Sequence, residues 1–378
     1  MSSRRTNEKS GTTSALPEAL RGGRKPVRPE QPAGVQDNDE LNMEPPPVDA
    51  SGNVKDDGRG RAADSPSEIP ARGWKDVAAR VWKETKDDNV GLIGAGVAFY
   101  TILALFPALV AMISLYGLLV DGPDEAARQT NEMLDFIPEA SREVITTQLK
   151  DITSNAKTGL GIGLVVSVGA ALWSASGGMR ALMKGLNVAY DEKETRKFVK
   201  LRLVSLALTL GAVVFAVLSL AGVIGVPAAF DASEPIGMAL AWLRWPLLAA
   251  VMVGGLAVIY RYGPDRDKPE WSWVSWGAGI AMVLWLAMTA AFSFYVSSFG
   301  KFNETYGTLA GVVVLMLWLS LSAFVVLLGA EINAELERQT AKDTTDGPDR
   351  PIGQRDAYAA DTVGESADKV MRKGKDGA

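Results

Sequence analysis

The sequence predicts an all-α polytopic membrane bundle of six transmembrane helices, with both termini cytoplasmic and a disordered tail at each end. Three observations predict it. Leu, Val, Ala, Ile, Gly and Trp dominate residues 91–331, whereas residues 1–72 hold almost no large apolar side chains. Six apolar runs are each long enough to cross a hydrocarbon core, which takes about 20 residues. Lys and Arg in the connections alternate with each crossing, and that alternation orients the chain.

The chain divides into a cytoplasmic N-terminal tail (1–72), a transmembrane domain (73–335) and a cytoplasmic C-terminal tail (336–378). The first tail is rich in Pro, Gly, Asp, Glu, Arg and Ser, and cannot bury enough apolar area to offset its ordering entropy. Its polar start is not expected to act as a secretory leader. The cluster Arg21-Gly-Gly-Arg-Lys-Pro-Val-Arg either touches anionic headgroups or is simply solvated. From Trp74 to Lys86, an apolar stripe of Trp74, Val77, Ala78, Val81 and Trp82 at helical spacing is flanked by Lys75, Arg80, Lys83 and Lys86. This pattern predicts an interfacial helix leading into the membrane.

The spans are expected at about 93–119, 159–179, 203–227, 241–260, 274–298 and 308–330. Pro107, Gly222, Gly225 and Pro246 interrupt them, which a bundle tolerates because neighbours satisfy the freed backbone groups. Pro107 is expected to supply a kink rather than chemistry. Trp242, Trp245, Trp271, Trp273 and Trp276 stand where interfacial anchors belong. The approach to the first span and the connections after the second and fourth are basic, while 228–240 has no Lys or Arg and 299–307 only Lys301. The long outer loop, 121–157, reads as two short amphipathic helices, the first opened by Pro123-Asp-Glu and the second by Pro138-Glu-Ala-Ser.

Composition removes several chemistries. The chain has no Cys and no His. Disulfides, thiol nucleophiles and Cys-ligated zinc are thereby excluded, and the commonest general base is missing. No metal site or cofactor is expected. A net charge of −5 argues against a nucleic-acid partner. No phosphate-binding loop or serine elbow is present. The span interiors are uncharged, so their polar groups are mainly hydroxyls.

Two regions carry candidate site residues. In the second span Ala170, Ser174 and Gly178 recur every four residues, a small ridge that admits a neighbouring helix, with Trp173 beside it. The helical pattern continues past the membrane boundary to Asn187 and Tyr190, which either bind a polar headgroup or cap the element. In the sixth span Tyr306 precedes the apolar run, and Glu331 and Asn333 emerge after it. A carboxylate at a helix C-terminus is disfavoured by the dipole. Arg180 or Arg202 is therefore the expected partner of Glu331, and a solvated carboxylate is the alternative.

Five ordered segments carry a resemblance: Ala98-Phe-Tyr-Thr-Ile-Leu-Ala-Leu-Phe-Pro107; Leu172-Trp-Ser-Ala-Ser with Gly185-Leu-Asn-Val-Ala-Tyr190; Ile259-Tyr-Arg-Tyr-Gly-Pro264; Tyr306-Gly-Thr-Leu-Ala; and Gly329-Ala-Glu-Ile-Asn333. Over about 75–335 the chain resembles the YihY/BrkB family of bacterial inner-membrane proteins. That resemblance implies a multi-pass inner-membrane protein of the envelope. Members have been labelled ribonuclease BN or serum-resistance virulence factor, and some have been connected with lipid movement. The nuclease label fits a chain without His or a basic face poorly, so no enzyme activity is expected. The leading expectation is a protein that moves or binds a lipid or other apolar substrate, with Asn187, Tyr190, Tyr306, Glu331 and Asn333 as binding residues. Membrane lipids are then the partners, with envelope proteins as further ones. The alternative is a non-transporting scaffold acting through the tails and the outer loop.

Overall fold

The computed structural model describes residues 57–119, 162–220, 235–299 and 310–376. Residues 1–56, the outer-loop helices expected over 121–157, and Tyr306 lie outside these. Helix α1 (Ala71–Asp87) is followed by α2 (Val90–Leu119), α3 (Ile162–Ala189), α4 (Phe198–Leu220), α5 (Pro235–Tyr262), α6 (Trp271–Phe299) and α7 (Ala310–Glu337). Two short helices, α8 (Tyr358–Asp361) and α9 (Ala367–Asp376), complete the chain. Helices α2 to α7 coincide with the six apolar runs.

A 28-residue helix such as α5, α6 without its last residue, or α7 is about 42 Å long, more than the hydrocarbon core needs. The segments Phe198–Ser219, Gly237–Tyr262, Trp271–Ser298 and Ala310–Glu337 are each long and apolar enough to cross a membrane. The α1–α2 pair, bent by 61°, makes a fifth candidate if taken as one span. The described chain is therefore an all-α, polytopic membrane bundle. Leu203, Leu210, Trp242, Leu243, Leu286 and Phe294 stand exposed on α4, α5 and α6. In water such a surface would be a liability, and in a bilayer it is the lipid-facing wall. Helix α5 runs unbroken through Pro246, and α2 continues through Pro107.

Helix α2 packs on α3 and α7, α7 on α6, α6 on α5, and α3 on α4. One core joins Leu186, Tyr190, Tyr260, Val274, Ala278, Ala281, Leu327 and Ala330, all buried. Close approach depends on small residues. A Cβ on Gly94 would stand 3.1 Å from Phe324 N, and one on Gly178 would stand 3.3 Å from Thr101 Cα. The turn between α1 and α2 is made by Asn89 with φ +52°, a left-handed conformation that Asn tolerates better than most residues.

Helix α1 departs from its simple amphipathic reading. Val77 and Val81 are buried as expected, but so are Asp76, Arg80 and Glu84 on the same face. Trp82 points outward, with the Lys86 ammonium 4.3 Å from its ring centroid.

The described structure also extends beyond the expected boundaries at both ends. Residues 57–70 and 338–376, read from composition as tail, pack around one end of the bundle, here called the capped end. Arg61 reaches Gly364 O at 2.8 Å and Gln339 O at 3.3 Å. Arg355 binds Ala360 O at 2.6 Å and Ala341 O at 2.9 Å. Asp361 accepts from Gly353 N at 2.6 Å, and Pro269 bridges Thr345. Gln339, Thr340, Thr344 and Thr362 are buried. The physical reason is that ordering comes here from mutually satisfied polar groups, not from the apolar area that a compositional reading counts.

Candidate functional site

Asn187, Tyr190, Glu331 and Asn333 all lie at the capped end, where α3 and α7 finish against α1, α6 and the connections after α3 and α5. All four are buried. They differ in how far the protein itself satisfies them.

Asn333 is fully committed. Its Oδ1 accepts from Gly277 N at 2.8 Å and its Nδ2 donates to Val274 O at 3.3 Å, which stitches α7 to α6. Asn187 is committed as well. Its Oδ1 accepts from Asp265 N at 2.8 Å and its Nδ2 donates to Glu194 Oε2 at 3.1 Å. That ties the α3–α4 connection to the α5–α6 connection, and Arg196 reinforces the join by donating to Gly263 O at 2.8 Å.

Tyr190 and Glu331 are not satisfied. The Tyr190 ring lies 5.0 Å from the Arg266 guanidinium, and its hydroxyl is buried near Asn333. Among the described residues that hydroxyl completes no hydrogen bond of good geometry, although Asn333 lies beside it. Burial pushes the phenol well above its ordinary value, so it stays a neutral donor. Glu331 Oε1 is buried and likewise has no partner among the described residues. The charges that act on it most strongly are those of Asp88, Glu335, Glu84 and Asp191, all acidic.

The expected neutralisation of Glu331 by Arg180 or Arg202 is not what the structure contains. Arg202 donates to Ser176 Oγ at 3.3 Å and stacks 4.2 Å over Trp173. The arginines nearer to Glu331 are used elsewhere. Arg80 and Arg338 both bind Glu335, the latter at 2.5 Å. Arg266 binds Glu337 through two bonds of 3.0 and 2.6 Å, with both side chains fully buried. Burial alone would lower the Arg266 guanidinium, and Glu337 more than reverses this, so it is raised. A carboxyl and a phenol left without protein partners can bind a group that brings its own hydroxyl, amine or amide.

The residues expected to shape the packing separate in a similar way. Gly178 is buried against α2, whereas Ala170 and Ser174 are exposed. The buried small face of α3 runs instead through Ala171 and Ala175, one residue out of register with the expected ridge, and meets it at Gly178. Trp173 is half-exposed under Arg202. Pro107 lies within α2, and its side chain is not among those described.

Sequence reasoning missed the ionic layer over this site: Arg59 on Asp76 at 2.7 Å, Arg80 on Glu335, and Arg266 on Glu337. One signal could have found part of it. Glu331, Glu335 and Arg338 recur at i, i+4 and i+7, which continues a single face of α7 beyond the apolar run.

The layer also contains a titratable latch. Glu192 accepts from Tyr358 N at 2.7 Å and so holds the start of α8. Burial pushes its carboxyl from 4.5 up to about 7, with Arg266 and the Tyr358 N–H opposing only in part. The folded chain therefore binds a proton here that the unfolded chain has released. The stability it contributes is full below pH 4.5 and is lost as pH rises to about 7. Glu192→Gln, permanently neutral, is expected to flatten the fall in thermal unfolding temperature between pH 5 and 8. Unchanged pH dependence in the variant would contradict the assignment.

Comparison with known proteins places this site in a family. The family model described as virulence factor BrkB matches residues 81–353. The chain belongs to the BrkB family. The match covers α2 to α7 and runs on into the cap as far as residue 353. A Bacillus subtilis protein, YfkH, named for its likeness to a ribonuclease, is 34% identical over 65% of this chain and 89% of its own length. A membrane protein of Haemophilus influenzae is 23% identical over 70% of this chain and 96% of its own. One from Vibrio vulnificus is 28% identical over 68% and 82%. No solved structure matches. With the fold, these relatives make the BrkB-family chain a multi-pass protein of the bacterial inner membrane.

Proposed function

We propose that this BrkB-family protein binds an envelope lipid and moves it across or within the inner membrane, taking the polar headgroup at the capped end. The observation that carries the reading is the pair of buried atoms, Tyr190 Oη and Glu331 Oε1, without a partner among the described residues at the end of a largely apolar bundle. A lipid's tails need no polar path, whereas its headgroup must exchange water for other hydrogen-bonding groups. A headgroup's hydroxyl or ammonium supplies the donor that Glu331 lacks, and its hydroxyl or phosphate oxygen an acceptor for Tyr190.

The same proposal takes α2 to α7 as six crossings, with both termini and the capped end in the cytoplasm. Basic residues gather in α1 and in the connections after α3 and α5, all at this end, as the positive-inside rule requires.

The alternative is a scaffold that recruits envelope proteins, favoured by the ordered polar cap that the terminal segments build. The two readings part in a strain lacking the gene, tested for envelope integrity. Glu331→Gln is expected to fail to restore it, while a chain without residues 1–56 succeeds. The scaffold reading requires the reverse, and that result would overturn the lipid proposal.

A further inference from the structure

The capped end holds a second group of unsatisfied polar atoms, on the bilayer face of α3 and α4. Arg202, one turn into α4, stacks its guanidinium 4.2 Å over Trp173 and 5.5 Å over Phe198. Its Nη1 donates to Ser176 Oγ at 3.3 Å, and that hydroxyl in turn donates to Trp173 O at 2.6 Å. Arg180 lies one turn further along α3. Its Nη2 is 3.8 Å from where a Cβ on Gly177 would stand, so the side chain folds back along the helix to within coulombic reach of Arg202.

Two like charges thus lie on neighbouring turns of one surface, Arg202 against Ser176 and Arg180 against Gly177. Among the described residues neither forms an ion pair, and the Nε–H of each is buried without an acceptor. The arginines of the cap behave differently: Arg59, Arg80, Arg266, Arg338 and Arg350 each meet a carboxylate. Paired guanidiniums without counter-charge are costly unless something anionic completes them. The surface beside them is apolar. Trp173 is 47% exposed, Phe198 65% and Leu203 61%. Lys184 and Lys200, both exposed, continue the basic surface along the same two helices.

We propose that Arg180 and Arg202 form a binding site for the phosphate of an anionic lipid in the leaflet at the capped end. The two guanidinium forks donate to the phosphate oxygens, a geometry that guanidinium matches and ammonium does not. Trp173 and Phe198 sit at the headgroup–acyl boundary, and the chains lie along Leu203 and Leu210 of α4. The apolar walls select a lipid over a free anion. This site is separate from Tyr190 and Glu331 and does not depend on translocation.

The test is a titration of the purified full-length chain, delipidated in neutral detergent, with phosphatidylglycerol and with phosphatidylcholine, read by native mass spectrometry. The wild type is expected to retain one phosphatidylglycerol in preference to phosphatidylcholine. Arg180→Gln is expected to weaken this about tenfold, as loss of a charge-assisted pair should, and adding Arg202→Gln to abolish the preference. Lys184→Gln should change it less than about twofold, as befits a solvated charge. Arg180 makes no hydrogen bond among the described residues, so Arg180→Gln should unfold at the wild-type temperature. Phosphatidylglycerol binding by the Arg180→Gln variant equal to wild type would overturn the proposal. So would displacement of the lipid by millimolar inorganic phosphate, which would make the arginine pair an anion site.

Discussion

Arg80→Ala is expected to detach the cap and to lower the thermal unfolding temperature more than any other single change in α1. Arg80 is buried, and all its bonds cross between segments far apart in the chain. Its Nε binds Glu335 Oε2, and its Nη2 donates to Glu335 O and Gln339 Oε1, both at 2.9 Å. Its Nη1 donates to Glu365 O at 2.8 Å. The guanidinium lies so close to Gly364 that a Cβ there would collide with it. Removing it leaves a buried carboxylate half-paired and three acceptors without donors. Breaking a buried pair from one side costs about 3–5 kcal/mol. Lysine should not rescue, since one ammonium cannot serve four acceptors on separate segments. Arg80→Ala with Glu335→Ala together should cost less than the sum of the two alone, because the second change removes the stranded charge. Release of residues 338–376 to protease in the single variant would accompany the loss. An Arg80→Ala protein with unchanged melting and an uncut C-terminal segment would show that the ionic layer does not hold the cap.

The second large effect is expected from a single methyl group. Gly277→Ala would place a Cβ against Asn333 Oδ1 and Gly329 O, closer than any van der Waals contact allows. Asn333 cannot swing away without surrendering its bonds to Gly277 N and Val274 O. Gly329 is equally confined, since a Cβ there would meet Tyr260 Oη and Ala281 Cβ. The Tyr260 hydroxyl itself donates to Val326 O at 2.8 Å, so that contact is also fixed. Helix α7 must therefore lift from α6, at about 1–3 kcal/mol for the overpacking and about 1 kcal/mol for each bond lost. Gly279→Ala, two residues on and facing open space, serves as the control and should be nearly silent. Combining Gly277→Ala with Asn333→Ala should recover part of the loss, because the side-chain collision disappears while that with Gly329 O remains.

These two sites mark the limit of what the sequence shows. The long apolar helices were legible because an uninterrupted apolar run of that length has few other uses, and α2 to α7 follow those runs closely. Gly277 was not legible: a glycine in an apolar helix looks the same whether it faces lipid, as Gly279 does open space, or an amide oxygen. Asn333 drew notice as a polar residue at a boundary, yet only the fold reveals that the α6 backbone claims both its amide atoms. Ala170 and Ser174 had the right spacing on the wrong side of α3, because a ridge of period four and its neighbour one residue away have equally small members. The cap was the least legible part. Residues 338–376 hold few large apolar side chains, and composition alone cannot tell polar groups satisfied by water from those satisfied by Arg59, Arg61, Arg80 and Arg355. Glu331 was legible as a carboxyl at an awkward place. That its neighbours are acids rather than Arg180 or Arg202 required the packing of α1 against α7.

The measurement that bears most directly on the lipid proposal is exchange of a headgroup-labelled phospholipid between leaflets of proteoliposomes, followed by quenching from outside. Wild-type protein is expected to raise the exchange rate above that of protein-free vesicles. Glu331→Gln and Tyr190→Phe should each reduce it about tenfold, the worth of one hydrogen bond at the headgroup. Arg180→Gln should leave exchange of a zwitterionic lipid unchanged, which separates the two lipid sites. Exchange by wild type that persists in full in both Glu331→Gln and Tyr190→Phe would contradict the account, and so would vesicles in which the protein accelerates nothing.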